Sequence, residues 1–174
     1  MDYRLRKLVP GDAASMARYA NNRNVARYLT DEFPHPYTEE DARIFIERVM
    51  KSDSLLIRTI EVNGEASGAI GVHPQSDVHR RNAEMGYWLA EDYWGRGIVT
   101  RAIGEMVDMA FGELDIDRIF ARPFSNNPRS QRVLEKTGFI LEGRFEKTLI
   151  KNGEYLDELI YAVRKEHWRR NKDK

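Results

Sequence analysis

Two glycines separated by one residue lie between an apolar strand and a long apolar helix near the middle of this chain. Gly95 and Gly97 follow the aromatic segment Ala83 to Leu89, and the helical periodicity after them continues to about Glu113. A strand that leads through a glycine turn into a helix directs backbone N–H groups and the positive end of the helix dipole at one place. The pattern therefore predicts an anion site that suits a phosphate group.

A second helix start follows the next strand of the chain. Asn127 is its predicted N-cap, and Pro128 stands at the first helical position, where its missing N–H costs nothing. Two neighbouring parallel strands that each end in a helix start form a cleft, which suits an elongated ligand with a phosphate at one end. Arg96 and Arg101 add positive charge in and just beyond the glycine turn.

The glycine turn differs from two other phosphate motifs. It lacks the third glycine of a dinucleotide fingerprint and the Gly-Lys-Ser/Thr ending of a P-loop. It also follows four predicted strands, whereas a dinucleotide-binding fold usually opens with its glycine turn. Chemistry on a magnesium nucleotide is therefore not expected.

Composition narrows the function classes further. The chain has 174 residues, of which 41% are hydrophobic and 32% charged, and its net charge is zero. We expect a single domain over residues 1–174. We expect no nucleic-acid or membrane partner, because a chain of zero net charge has no overall positive potential that would attract a nucleic acid or an acidic membrane surface. The absence of cysteine excludes disulfide and thiolate chemistry, and the first residues lack an apolar run. We therefore expect a cytoplasmic protein.

The elements that must position the two helix starts are predicted from periodicity and turn signals. Seven strands are expected in an α/β fold with a mixed central sheet, an antiparallel front half and about four flanking helices. Asn63-Gly64 and Asn152-Gly153 predict hairpins between successive strands. Residues 164–174 are expected to form a solvated tail.

Helix starts and one rigid loop are predicted in the first 41 residues. Asp12 is expected to cap the first helix, and Thr38 with Asp41 is a candidate capping box. Between them, Phe33–Tyr37 carries two prolines within three residues, which excludes regular structure. This loop is expected either to pack against a sheet edge or to form a wall of a substrate pocket.

Three segments carry a resemblance to a known family. They are Glu84–Ala90, Tyr93–Ile98 and Asn127–Phe139, and they are supported by Leu141–Gly143 and Asn152-Gly153. In this order and spacing they resemble the GCN5-related N-acetyltransferase superfamily, in the branch similar to ribosomal-protein alanine N-acetyltransferases. The resemblance covers nearly the whole chain and implies a sheet that is splayed at an acetyl-CoA site.

The resemblance implies which residues contact acetyl-CoA. In the family's loop pattern, Gln/Arg-x-x-Gly-x-Gly/Ala, Trp94 takes the first position, Gly97 the fourth and Val99 the last. Val99 is a departure, because a small residue is usual there. No metal is implied, and the contacts fall on Trp88, Leu89, Ala90, Trp94, Gly95, Arg96, Gly97, Val99, Thr100, Asn127 and Ser130.

Acetyl transfer to an amine requires a group that removes a proton from the ammonium. Glu84 is the first candidate base, because it shares a strand face with Gly86 and Trp88. Its alternative is an edge carboxylate that pairs with Arg80 or Arg81. Lesser candidates for the base are Glu142, Asp157 and His73.

A donor near the departing sulfur is harder to assign. Many members of the superfamily place a tyrosine where this chain has Leu134. Ser130 either binds the sulfur end or only satisfies the backbone of the first helical turn. Tyr155 and Tyr87 are further candidate donors.

The expected activity is transfer of acetyl from acetyl-CoA to a primary amine, by direct attack in a ternary complex. The expected acceptor is a protein N-terminus or a small-molecule amine. Acidic residues flank the proline loop, and they either form an acidic pocket for a polyamine or belong to a solvated helix start. These residues are Asp31, Glu32, Glu39, Glu40 and Asp41. The alternatives are a non-catalytic acetyl-CoA sensor and a nucleotide-binding interaction domain. A homodimer through an exposed sheet edge is a further expectation.

Overall fold

The structure, a computed structural model, describes residues 2–172. Its strands are β1 (Tyr3–Arg6), β2 (Leu56–Val62), β3 (Glu65–Pro74), β4 (Asn82–Leu89), β5 (Arg118–Ala121), β6 (Ile140–Lys151) and β7 (Glu154–Arg164). The helices of the described residues are α1 (Ala13–Ala20), α2 (Arg23–Ala26), α3 (Glu39–Lys51), α4 (Ile98–Glu113), α5 (Pro128–Lys136) and α6 (Lys165–Lys172).

The strands form one mixed sheet in the order β1-β2-β3-β4-β5-β7-β6. The β1–β2, β5–β7 and β6–β7 pairs are antiparallel, and β4–β5 is parallel. The α/β class and the seven-stranded mixed sheet are thereby confirmed. Within residues 2–172, no helix combines the length and apolar character that crossing a membrane requires.

The chain divides into two compact units, each of which is described by itself. The first unit comprises Met1–Gly71 and Tyr87–Ala102, and the second comprises Val72–Gly86 and Ile103–Lys174. The expectation of one domain over residues 1–174 stays a prediction.

The core of the first unit lies between α1 and α3. Both helices present an apolar stripe at the spacing of 3.6 residues, and the buried cluster consists of Leu8, Ala13, Met16, Ala17, Ala20, Tyr37, Ala42, Ile46 and Ile57. Helix α3 begins at the predicted capping box: Thr38 Oγ1 accepts from Asp41 N–H at 3.2 Å, and Asp41 Oδ2 accepts from Thr38 N–H at 2.7 Å. Burial of each large side chain contributes about 2 kcal/mol.

Asp12 does not cap α1 with its side chain, so that prediction was wrong. Its buried carboxylate instead accepts from both terminal nitrogens of Arg6, at 2.7 and 2.9 Å, and from Val9 N–H at 2.9 Å. A bidentate partner on β1 satisfies a buried carboxylate better than one helical N–H does. Burial alone would raise the pKa of Asp12, but the hydrogen bonds from Arg6 and Val9 hold it below its usual value.

Replacing Asp12 by asparagine is expected to lower the free energy of unfolding at pH 7 by about 2 kcal/mol, because Arg6 loses one of its two carboxylate partners and keeps the other, Glu61. The stabilisation from a carboxylate with a depressed pKa is present above its ordinary pKa of about 4 and is lost as the pH falls below it. In urea unfolding, the free energy of unfolding should therefore fall less between pH 7 and pH 3 in Asp12→Asn than in the wild type. The exposed Asp53→Asn is the control, and equal unfolding curves for the wild type and Asp12→Asn would contradict the role of this ion pair.

The second unit contains the parallel pair and the long hairpin. The β4–β5 register runs from Asn82 with Arg118 to Glu84 with Phe120, and β4 itself continues to Leu89. Strand β6 extends to Lys151, because it resumes pairing with β7 after a bulge.

The ends of α5 and the last hairpin agree with their sequence signals. Gly138 has a φ of +86° directly after α5, as expected of a helix stop. Asn152 and Gly153 have φ values of +51° and +78°, which is the geometry of the predicted two-residue turn. The predicted tail begins as α6, in which Trp168 Nε1 donates to Asp108 Oδ1 at 2.7 Å.

Candidate active site

The glycine turn of the first unit has the geometry that an anion site requires. Gly95 and Gly97 both have a φ of +73°, and a side chain at either position would point into open space. Gly97 ends the turn, since its carbonyl accepts the first helical hydrogen bond from Arg101 N–H at 3.2 Å. The N–H groups of Ile98 and Val99 therefore open α4 without partners inside the helix. Non-glycine residues rarely adopt this backbone, which explains both glycines.

Side chains at the start of α2 hold the segment that leads into the turn. Glu91 lies in a short 3-10 helix after β4 and accepts from Asn22 Nδ2 at 2.8 Å and from Asn24 Nδ2 at 2.9 Å. Trp94 Nε1 donates to Leu89 O at 2.8 Å, which closes the loop onto the end of its strand. Sequence reasoning missed Glu91, because its partners lie 67 and 69 residues away and no local pattern marks them.

The proline loop is attached to the same short segment of chain. Tyr37 N–H donates to Asn21 Oδ1 at 3.0 Å. Asn21 directly precedes Asn22, which is one of the two asparagines that bind Glu91. The Phe33 ring packs edge-on against Trp88 of β4, with centroids 5.6 Å apart. Burial raises the pKa of Tyr37 to about 12, so its hydroxyl stays neutral. The loop is therefore packed, and it borders the strand end that leads to the turn.

Arg101 is directed towards the first strand. Its guanidinium lies over the Tyr3 ring, 5.0 Å from the centroid. A cation–π contact of this kind fixes where the charge sits. The positive charge that the sequence places just beyond the turn is thus held beside β1.

Glu84 of the second unit is paired with an arginine that sequence reasoning did not name. Arg122 Nε donates to Glu84 Oε1 at 2.8 Å, and Arg122 Nη2 donates to Glu84 Oε2 at 3.0 Å. The same guanidinium reaches Glu158 Oε1 at 3.4 Å. Hydrogen bonding to Glu84 raises the pKa of Arg122 above its usual range.

The two arginines proposed as alternative partners of Glu84 bind elsewhere. Arg81 pairs with Asp115 and Asp117, and Arg80 Nη1 donates to the Asp77 carbonyl. That interpretation of Glu84 as a carboxylate paired with Arg80 or Arg81 was wrong about the partner. An ion pair does form, and the pairing leaves each Glu84 oxygen one further acceptor position.

The second helix start has the predicted cap. Asn127 Oδ1 accepts from Ser130 N–H at 3.2 Å, and Pro128 is the first residue of α5. Leu134, at the position of the family's tyrosine, is fully buried and faces the core. Ser130 therefore remains the hydroxyl nearest the start of this helix.

Two of the lesser base candidates are bound to arginines. Glu142 accepts from Arg118 Nη2 at 2.5 Å, and this hydrogen bond lowers its pKa. Asp157 accepts from Lys147 N–H at 2.9 Å and from Arg144 Nε at 2.7 Å, and both bonds lower its pKa. Both carboxylates therefore serve as ion-pair partners, and a role for either one in proton transfer stays a prediction.

The remaining candidates differ in exposure. His73 is the penultimate residue of β3, and Tyr87 lies half-buried in β4. Tyr155 is 67% exposed near the turn of the last hairpin. Their proposed roles stay predictions.

Comparison with known proteins identifies the family. A family model described as "Acetyltransferase (GNAT) domain" matches residues 3–140, so the chain belongs to the GNAT acetyltransferase family. Glu84 and the glycine turn lie inside the matched region, as do the cap at Asn127 and Ser130.

Three similar proteins illustrate the range of the family. YdaF of Bacillus subtilis (strain 168), which its name proposes to be a ribosomal N-acetyltransferase, is 35% identical over 106 residues, or 61% of this chain and 57% of YdaF. The chain thus spans little more than half of that relative. Spermidine N(1)-acetyltransferase of Escherichia coli (strain K12) is 26% identical over 160 residues, or 92% of this chain and 84% of that protein.

A solved structure shows the same fold. The microcin C7 self-immunity acetyltransferase MccE, in complex with acetyl-CoA and AMP, superposes with a TM-score of 0.81. It is 25% identical and covers 94% of this chain and 92% of its own. The matched family model and the similarity to YdaF support the predicted resemblance to the branch of ribosomal-protein acetyltransferases.

Proposed function

We propose that this protein transfers the acetyl group of acetyl-CoA to a primary amine by direct attack, without a covalent enzyme intermediate. The observation that carries the proposal is the paired positive φ of Gly95 and Gly97 at the start of α4, in a chain of the GNAT family. This geometry suits a pyrophosphate, because backbone N–H groups and the helix dipole converge there. The MccE structure supports the choice of acetyl-CoA.

The proposed contacts are named for each unit by itself. In the first unit, the phosphate end is assigned to the glycine turn and the first turn of α4, and the acetyl end to the last residues of β4. In the second unit, the start of α5 is proposed to contact the cofactor. The residues are Trp88, Leu89, Ala90, Trp94, Gly95, Arg96, Gly97, Val99, Thr100, Asn127 and Ser130. Acetyl-CoA, when bound, supplies an activated thioester.

The backbone donor for the developing oxyanion is assigned to Leu89. Ala90 N–H already donates to Ser67 O at 2.8 Å, so it is committed to β3. Successive N–H groups of a strand point to opposite sides, which directs the Leu89 N–H away from β3. A donor on that side meets the carbonyl oxygen of a thioester that lies along β4.

Glu84 is the proposed proton acceptor. Arg122 holds its carboxylate in one orientation, and each oxygen keeps a lone pair for the ammonium or for a relaying water. The proton leaves the amine before or during attack, and Ser130 is proposed to donate a hydrogen bond to the departing sulfur. Leu134 supplies no donor, since its side chain is aliphatic, and it is buried in the core.

We propose an N-terminal amine as the acceptor in preference to a polyamine. A polycation needs a cluster of uncommitted carboxylates, whereas Glu39 and Glu40 both pair with Arg43. Asp41 is committed to the Thr38 capping box. The YdaF name agrees with a protein acceptor, and the spermidine enzyme supplies the competing class.

The proposal is tested by mass spectrometry of a mixed acceptor panel. Purified protein and acetyl-CoA are incubated with N-terminal peptides, polyamines and amino acids, and each product is examined for one added acetyl group. Acetylated peptide N-termini are expected. Exclusive acetylation of polyamines would contradict the acceptor class, and absence of any acetylated product would contradict the activity.

Replacing Glu91 by alanine is expected to raise the KM for acetyl-CoA about fivefold with little change in kcat. The segment before the glycine turn loses both asparagine hydrogen bonds, and each is worth about 1 kcal/mol or less when partly exposed. Steady-state kinetics with the matched neighbour Asp92→Ala give the control. A fall in kcat at unchanged KM would show that Glu91 serves the chemistry rather than the loop.

A homodimer through β6 is also proposed. This strand ends the sheet and exposes Ile140, Phe145 and Ile150. An exposed sheet edge that carries apolar side chains suits pairing with the same edge of a second copy. Light scattering should find a dimer that Phe145→Glu dissociates, and a monomeric wild type would refute it.

A further inference from the structure

The short 3-10 helix before the glycine turn is a compact piece of chain. It spans Glu91–Tyr93, and Trp94 N–H donates to Glu91 O at 3.0 Å, which closes its last turn. Gly95 lies two residues beyond Tyr93, which is about 7 Å along the chain at most. A contact that fixes Tyr93 therefore fixes where the glycine turn begins.

Side chains from other elements hold this 3-10 helix at both ends. The two asparagines at the start of α2 bind Glu91 at its first residue. Tyr93, its last residue, contacts Tyr19 of α1: the two hydroxyl oxygens are 3.4 Å apart, and the ring centroids are 6.0 Å apart with the planes tilted by 54°. Both tyrosines are half-buried, so the contact is partly shielded from solvent.

The Tyr19 hydroxyl is in turn anchored on the sheet. It donates to Glu65 Oε2 at 2.7 Å, and Glu65 is the first residue of β3. Arg18 Nη2 donates to the same oxygen at 2.6 Å, and its guanidinium lies 4.6 Å from the centroid of the Tyr19 ring. The hydrogen bond from Arg18 lowers the pKa of Glu65, so this anchor is a carboxylate at neutral pH.

The direction of each hydrogen bond in this chain of groups follows from the number of hydrogens. A hydroxyl carries one hydrogen, and a carboxylate only accepts. Tyr19 donates its hydrogen to Glu65, so Tyr93 is the donor to the Tyr19 oxygen. The bond to a charged acceptor polarises the Tyr19 hydroxyl and makes its oxygen a better acceptor for Tyr93. The start of β3 is thereby connected to the last residue of the 3-10 helix.

We propose that Tyr19 is a positioning residue for the glycine turn and that it acts through Tyr93. This inference rests on the proposed function, which assigns the phosphates of acetyl-CoA to that turn. With both of its ends held, the 3-10 helix keeps one orientation, and the N–H groups that open α4 are aligned before a phosphate arrives. Donors that are already ordered bind more tightly than donors that binding must order.

The test measures CoA affinity by isothermal titration, so it requires no acceptor amine. Tyr19→Phe removes the hydroxyl, keeps the ring, and is expected to weaken CoA binding about three- to tenfold, the equivalent of about one hydrogen bond. Tyr93→Phe is expected to cause a similar or smaller loss. The double variant should bind CoA as well as Tyr19→Phe alone, because its second change removes a hydroxyl that has already lost its partner.

Tyr28→Phe is the matched control, because Tyr28 is half-buried shortly after α2 and contacts Arg27 through its ring. It should keep the wild-type affinity for CoA. If Tyr19→Phe does not fold, Glu65→Ala removes the anchor of Tyr19 and is expected to give the same loss.

Three results would overturn the proposal. The first is equal CoA affinity in the wild type and Tyr19→Phe. The second is a lower melting temperature of Tyr19→Phe at unchanged affinity, which would make Tyr19 a structural residue of α1 only. The third is a double variant whose loss is the product of the two single losses, because the tyrosines would then act independently.

Failure of the proposed function gives a different result. A wild type that binds no CoA overturns both the function and the role of Tyr19. Wild-type binding that Tyr19→Phe leaves unchanged refutes only the role of Tyr19. Binding that Tyr19→Phe weakens, without thiol release for any amine, supports the role of Tyr19 and refutes acetyl transfer.

Discussion

Glu84→Gln is expected to lower kcat about 100-fold at saturating acetyl-CoA, which is the size of effect that removal of a general base produces. Glutamine keeps the shape of the side chain and one acceptor oxygen for Arg122, so the ion-pair partner stays in place. The KM for acetyl-CoA should change little, because Glu84 lies before the phosphate turn. Steady-state kinetics with the acceptor identified from the panel measure both constants.

Glu158→Gln is the matched control for this prediction. Glu158 reaches the same guanidinium at 3.4 Å but is not assigned a role in proton transfer. We expect its kcat to stay within about threefold of the wild type, in line with a weak, partly exposed ion pair. An equal fall of kcat in the two variants would show that activity depends on the carboxylates that neutralise Arg122, and not on a base at Glu84.

Gly97→Ala is expected to raise the KM for acetyl-CoA about tenfold to 100-fold. Alanine at a φ of +73° costs about 1–2 kcal/mol in the turn. Relief of that strain rotates the N–H groups at the start of α4 away from the phosphate. The added methyl group also occupies the open space that the ligand is proposed to fill.

Gly112→Ala makes the same chemical change in the last turn of α4, where no positive φ is required. This control should leave the KM unchanged and stabilise the helix slightly. Titration with CoA provides the binding constants without turnover. Equal CoA affinity in the wild type and Gly97→Ala would remove the glycine turn from the proposed site.

Local chemistry explains which features could be predicted from the sequence. The capping box at Thr38 and the cap at Asn127 each depend on residues within one helical turn, and both are observed. The turns at Asn63 and Asn152 depend on adjacent positive φ values, which asparagine and glycine tolerate. The positive φ at Gly95 and Gly97 belongs to the same class of signal.

Longer-range choices could not be read from the sequence. Asp12 is a residue type that often caps helices, but the half-buried Arg6 on β1 offers its carboxylate a stronger partner. Glu84 finds Arg122, 38 residues away, rather than the nearby Arg80 or Arg81. Glu91 depends on the distant start of α2 in the same way. Ion-pair partners are set by how strands and helices come together, which periodicity does not encode.

The proline loop shows both kinds of information. Its two prolines predict irregular structure from the sequence alone. Its contact with Trp88 and its link to Asn21 appear only in the folded chain. Asn21 binds this loop, and the adjacent Asn22 binds Glu91 in the segment before the glycine turn. One short piece of chain therefore holds both.

The most direct test of the central claim is release of free thiol from acetyl-CoA by the purified protein, with and without the amine panel. The account predicts thiol release that requires an amine and yields an equal amount of acetylated acceptor. Tight binding of acetyl-CoA, with no thiol released above background for any amine, would contradict it. That result would indicate the non-catalytic acetyl-CoA sensor instead.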